Sequence, residues 1–291
     1  MRELAIAPRS AVEKSVGMAI ILAGGLRPTP LSDSTHCSVL DLWLTPQRTV
    51  LDLWLELISG VGDIDVKVLW NDGVPRPSIG GVACGSRATL VPDLSGFRGP
   101  AGAVRDACVT VDPNALVLVC EATRFVDADL VEMVEAHVGM DADVTVACNR
   151  DRTPAGVYLI RRPLLDYVPP IGFMDLKEQW LGKVIGAGHG VFAHRLESGT
   201  SHVLRTREQF LAAARAANGV MQIGRMEDGC MISSDATVHE TAMLWDSVVM
   251  GGATIDAGAV VVRSLVGPGA HVRSHDVVVD RVVGASRGRS D

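Results

Sequence analysis

The 291-residue chain carries a net charge of −7, with 47% hydrophobic and 21% charged residues, an ordinary globular composition. It is long enough for one large or two moderate cores, has no basic excess for a nucleic-acid partner, and has no apolar run near the ~20 residues that span a bilayer. The expected partners therefore include neither nucleic acid nor membrane. The cysteines at 37, 84, 108, 120, 148 and 230 stand singly, with no CxxC pair. With no secretory signal pattern at the start, this usage points to reduced thiols in a cytoplasmic protein.

Residues 1–16 read as a polar lead-in. The apolar run Met18-Ala19-Ile20-Ile21-Leu22 then breaks into Ala23-Gly24-Gly25. This predicts a buried first strand that delivers a glycine loop to the carboxyl edge of a parallel sheet, where phosphates are commonly bound. A helix is expected over Pro46 to Ile58, with proline in its first turn and Val50, Leu51, Trp54, Leu57 and Ile58 on one apolar face. Val66 to Trp70 reads as a second strand, and Gly80 to Leu90 holds another.

Gly99 to Ala107 is a second glycine-containing loop that opens a helix. Leu116 to Cys120 has the continuous apolarity of a central parallel strand. A helix over Asp127 to Val138 and strands over Val144 to Cys148 and Ala155 to Ile160 follow. This alternation predicts an α/β domain over residues 17–218, Rossmann-like, with a mixed but mostly parallel sheet.

From 221 onward the helical periodicity ends. Aliphatic residues recur every sixth position at Ile232, Val238 and Leu244, at Ile255 and Val261, and at Val266, Val272 and Val278, with breaks of phase between the runs. Small residues follow four positions later at Ala236, Ala242, Ala259 and Ala270. Hexapeptide repeats of this kind predict a short left-handed parallel β-helix of about three coils over 221–283.

Several landmarks occur in a telling order: Leu22-Ala23-Gly24-Gly25, Pro30-Leu31-Ser32, Gly99-Pro100-Ala101-Gly102-Ala103, the strand ending at Cys120, Ala155-Gly156-Val157-Tyr158, Asp175-Leu176-Lys177-Glu178, and the closing repeats. As a set they resemble the sugar-1-phosphate nucleotidyltransferases, such as the mannose-1-phosphate guanylyltransferases. The resemblance implies a nucleotide site at Ala23, Gly24, Gly25, Gly99, Ala101, Gly102 and Ala103, and a sugar site at Ala155, Gly156 and Val157. It further implies phosphate contacts from Arg27, at the signature arginine, and from Lys177. The family's reaction joins a sugar-1-phosphate to the α-phosphorus of a nucleoside triphosphate, with magnesium held by two aspartates.

The chain departs from that pattern where the chemistry lies. The signature loop is two residues short, and Cys37 replaces the signature lysine. Thr123 and Val203 stand at the two metal-aspartate positions, and Pro100 and Pro154 replace a customary Thr and Asn. Two lost contacts of roughly 3 kcal/mol each slow a reaction about ten-thousandfold. The expectation is a degenerate member without normal catalysis and with no cofactor, which binds a nucleotide or NDP-sugar. It would act as a regulatory subunit, in a homo-oligomer or beside an active paralogue.

Two other readings stay open. One is an active pyrophosphorylase with a rearranged site, using Arg27, Lys177 and magnesium on Glu121. The other is a hexapeptide acyltransferase with His239, His271 or His275 as base.

Overall fold

The computed structural model describes residues 16–79, 88–93, 98–197, 199–217 and 229–285, with the backbone alone of 218–220. The polar lead-in, Cys84, most of the stretch Gly80 to Leu90, and residues 221–228 lie outside the described residues. The chain divides into two compact units. The first holds residues up to Leu26, Trp54–Asp72 and Ile79–Ser201; the second holds Arg27–Leu53, Gly73–Ser78 and residues from His202 on.

The first unit is built on a seven-stranded sheet. Its strands are β1 (Val16–Leu22), β4 (Val66–Trp70), β5 (Ala88–Pro92), β6 (Leu116–Glu121), β8 (Val144–Cys148), β9 (Pro154–Arg161) and β10 (Val191–Arg195), ordered β10-β8-β9-β6-β1-β4-β5. All pairings are parallel except those of β9, which runs antiparallel to both β6 and β8. Central position explains the unbroken apolarity of β1 and β6, since Ile20, Ile21, Val117, Leu118 and Val119 are fully buried. One layer of the core joins Ile20, Val119, Tyr158 and Ile160 to Val104 and to Trp180, whose indole N–H donates to Leu164 O at 3.0 Å.

The helix expected from Pro46 begins later. Trp43–Thr45 (β2) and Arg48–Thr49 (β3) form an antiparallel hairpin with Pro46-Gln47 at its tip, and the helix α2 runs Val50–Ser59. The reason is a reciprocal cap that the proline obscured. Asp52 Oδ2 accepts from Thr49 N at 2.9 Å, and Thr49 Oγ1 accepts from Asp52 N at 3.2 Å. Before it, Pro30–Thr35 forms a short helix, α1, and beyond β5 comes the helix α3 over Gly99–Ala107. The helix expected from Asp127 starts at Leu130, because β7 (Arg124–Asp127) comes first and Asp129 caps α4 (Leu130–Gly139).

After β11 (Thr200–Val203), ten short strands of the second unit, from β12 (Met231–Ile232) to β21 (Val282–Val283), stack in three parallel ladders. Met231 pairs with Val248, Val248 with Leu265, and Leu265 with Val282; the other two ladders repeat the same step. The repeat is 17 residues, as the backbone-to-side-chain bonds from Ser247 to Cys230 and from Ser264 to Ser247 also show. Two sides of each turn are six residues long and the third is five, which accounts for the breaks of phase. The short side turns at Asp246, Arg263 and Asp280, each in the left-handed region at φ 48°, 45° and 54°. Non-glycine residues are held there by ion pairs, Arg263 Nη2 to Asp280 Oδ2 at 2.6 Å and Arg215 Nη2 to Asp246 Oδ2 at 2.5 Å.

The three sides differ in what lies on them. Val248, Val249, Leu265 and Val266 are buried; on that side the Trp43 ring lies against Gly251, and Pro46 O accepts from Ser234 N. A second side presents Thr237, Thr254 and His271. The third, formed by β14 (Met243–Trp245), β17 (Val260–Val262) and β20 (Val277–Val279), turns Met243, Trp245 and Val277 outward at 63%, 57% and 66% exposure.

Candidate functional site

The chain leaves β1 toward β4 and β5, then returns to β6 on the opposite side of β1. Such a reversal of strand order opens a crevice at the carboxyl ends of the two central strands. Leu22 and Glu121, the last residues of β1 and β6, are register partners there. The glycine loop and the Glu121 carboxylate therefore leave the sheet side by side.

The loop is braced from within its own unit. Ala23 N–H donates to Leu69 O at 2.9 Å, and Gly25 N–H donates to the Asn71 side-chain oxygen at 3.3 Å. A Cβ on Gly24 would stand 3.1 Å from Asn71 Nδ2, so the glycine lets the asparagine approach.

Glu121 collects three partners. Lys177 Nζ lies 2.6 Å from Oε1, Arg124 Nε lies 3.3 Å from Oε2, and the Tyr158 hydroxyl donates to Oε1 at 3.3 Å. Arg124 is brought in by the tight turn after β6. Its stem crosses Gly156, which has φ 80° and no Cβ to obstruct it, and its Nη1 donates to Ser201 Oγ at 3.3 Å. Tyr158 comes from the antiparallel strand β9, where it pairs with Val119.

Lys177 sits on the one-turn π-helical segment Leu176–Trp180. Asp175 Oδ1 caps that segment, accepting from Lys177 N at 2.7 Å and from Glu178 N at 2.8 Å. The backbone beneath Lys177 is thus anchored, while its side chain stays 42% exposed. Burial pushes the Glu121 carboxyl up, but the hydrogen bond and charge of Lys177, with Arg124, outweigh it and hold the group below the usual carboxylate range. Burial, then the Glu121 charge, drives the Tyr158 hydroxyl well above its ordinary value, so it remains a donor.

These residues do not fit a magnesium ion. Both Glu121 oxygens face cations or a donor, and a divalent ion would be repelled by Lys177 and Arg124. Thr123 stands in the turn before Arg124, and Val203 offers no ligand atom in its side chain. Among the described residues no group of three or more His, Cys, Asp or Glu side chains is placed to hold a metal.

The start of α3 is packed rather than open. Ala101 N–H donates to Met174 O at 3.2 Å, and Met174 N–H donates to Arg98 O at 2.9 Å. A Cβ at Gly99, where φ is 68°, would stand 2.6 Å from Met174 O; one at Gly102 would stand 2.7 Å from Arg98 Cβ. Arg98 is buried, pairs with Asp106 at 2.9 Å, and donates to Gly172 O at 3.0 Å. Ala103 continues the helix.

Ala155 and Val157 are buried on β9, and Gly156 between them meets the charged cluster. Arg27 is exposed and belongs to the second unit. The three repeat histidines are dispersed. His239 meets Thr241, His271 Nε2 pairs with Asp256 at 2.8 Å, and the His275 ring covers Gly258.

The fold thus brings Glu121, Lys177 and Gly156 together, while Gly99 and Gly102 serve the packing of Met174 and Arg98. Sequence reasoning gave no role to Asn71, Arg98, Arg124 or Tyr158. Arg124 had a local signal, a basic residue three after an acidic one at a strand end. Lys177 and Glu121 shared a site only in the rearranged-site reading, and their direct pairing across 56 positions had no local signal.

Neither the protein-family models nor the curated proteins with which the sequence was compared match it.

Proposed function

We propose that the chain is a nucleotidyltransferase-like protein that binds a nucleotide or NDP-sugar without turning it over, in the cytoplasm, as a regulatory or partner subunit. On this reading the first unit is a Rossmann-like nucleotidyltransferase fold and the repeats are a left-handed parallel β-helix. The observation that carries it is the Glu121 cluster at the strand-order reversal. A catalytic relative would need acidic side chains free for magnesium at this edge, whereas here the carboxylate is neutralised by Lys177 and Arg124. What remains suits an anion: two cations, a hydroxyl donor, and a glycine loop beside them.

The apolar side formed by Met243, Trp245, Val260, Val262, Val277 and Val279 suits a second copy of the chain. Contiguous exposed apolar area of this kind is uncommon on monomers. Its large residues lie in the first coil and its small ones in the third, so two copies related by a twofold axis along the strands would set Met and Trp against Val.

Calorimetric titration with a panel of NDP-sugars and nucleoside triphosphates tests the reading, alongside a pyrophosphate-release assay with sugar-1-phosphates and magnesium. Binding without release supports it. Release at the rate of an ordinary enzyme favours the rearranged-site alternative.

A further inference from the structure

The partners of Lys177 and Arg124 are not equivalent. Arg124 is 16% exposed and is held on both sides, by Glu121 and by Ser201. Lys177 is 42% exposed, and within the cluster its ammonium meets only Glu121. If Lys177 swings away, Glu121 still keeps Arg124 on Oε2 and the Tyr158 hydroxyl on Oε1. The Lys177–Glu121 contact can open without leaving a buried carboxylate unpaired, which is the step that makes most ion pairs costly to break. Asp175, a second acidic group acting on Tyr158, spends its Oδ1 on the Lys177 and Glu178 backbone N–H groups.

We propose that Glu121 is a built-in competitor for the ligand's phosphate: Lys177 rests on the carboxylate in the free protein and transfers to a phosphate or diphosphate oxygen when ligand enters. The proposal rests on the nucleotide-binding reading above and gives its site a threshold. The anion must outbid an internal carboxylate 2.6 Å from the ammonium. A monoanion would do this poorly and a diphosphate well, because the two cations leave one positive charge in excess of Glu121. The site would therefore select for ligand charge rather than for phosphate as such.

Glu121→Gln keeps the side chain's shape and an acceptor for Tyr158 while removing the charge. Titrated calorimetrically with inorganic pyrophosphate, this variant is expected to bind roughly tenfold or more tightly than wild type. Lys177→Ala should abolish that gain in the double variant. Equal or weaker binding by a folded Glu121→Gln protein overturns the proposal.

Should that variant not fold, the 13C-labelled Glu121 carboxyl resonance of the intact protein decides. It is expected to shift as pyrophosphate is added, and an unmoved resonance at millimolar pyrophosphate overturns the competitor role. The two readings fail separately. Tighter pyrophosphate binding with no response to any NDP-sugar removes the nucleotide-sugar assignment and leaves the competitor. NDP-sugars that bind wild type and Glu121→Gln equally remove the competitor and leave the assignment.

Discussion

The stem of Arg124 lies across Gly156 so closely that a Cβ there would stand 2.4 Å from Arg124 Cδ. Gly156 also holds φ 80°, a conformation that side chains resist. Gly156→Ala must therefore strain the backbone and displace Arg124 from Glu121. We expect a loss of at least about 2 kcal/mol in urea unfolding. Any binding of diphosphate should fall with it.

Acid should weaken the fold through His137. Burial, then the positive charge of Arg161, lowers this histidine from 6.5 to about 4, and its Nδ1 pairs with Thr145 Oγ1 at 2.8 Å. Between those values the unfolded chain binds the extra proton, so falling pH favours unfolding. The contribution is complete above pH 6.5 and is lost as pH drops through about 4, on the order of 3 kcal/mol in all. Asp41, raised by burial to about 6, acts with the opposite sign between 3.8 and 6. The diagnostic is therefore the difference between wild type and His137→Gln. Between pH 7 and pH 5 the wild-type urea midpoint should fall relative to that of the variant, in which the gain from Asp41 is no longer offset.

Inside the repeats, Ser247 and Ser264 stand 17 residues apart, and each hydroxyl accepts a backbone N–H from the next turn, Ser264 N at 3.1 Å and Arg281 N at 3.1 Å. Cys230 occupies the same place one turn earlier, with Ser247 N 3.4 Å from its sulfur. Ser247→Ala leaves a buried donor, the Ser264 N–H, without its partner and should cost about 1–2 kcal/mol. Cys230→Ser continues the oxygen column and should leave the thermal midpoint nearly unchanged.

Much of this architecture was legible from local pattern. The unbroken apolarity of Met18 to Leu22 and Leu116 to Cys120 marked the two central strands, and a sixfold spacing marked the repeats. What escaped was anything needing a second segment to interpret. The phase breaks made sense only once Asp246, Arg263 and Asp280 were seen at a five-residue side. Pro46 looked like a helix start because the Thr49–Asp52 cap lies three residues later and is itself unremarkable in sequence. At the site, Gly99 and Gly102 carried the look of a ligand loop, yet their closest neighbours are Met174 and Arg98. Glu121 was legible as a lone carboxylate at a strand end; that it meets Lys177 depends on a segment far along the chain.

The apolar side of the repeats yields a prediction about assembly. Trp245 and Met243 are each more than half exposed. If a second copy covers them, Trp245→Glu places a charge in an apolar contact and should turn a dimer into a monomer by light scattering, with little change in circular dichroism. A wild-type protein that is monomeric at micromolar concentration would contradict the assignment.

The most direct test of the account is calorimetric titration of wild-type protein with NDP-sugars, run beside a pyrophosphate-release assay in magnesium. The account predicts saturable binding of at least one NDP-sugar, weakened tenfold or more by Lys177→Ala, with no release above background. Pyrophosphate release at ordinary enzymatic rates, or no binding across the whole panel, would contradict it.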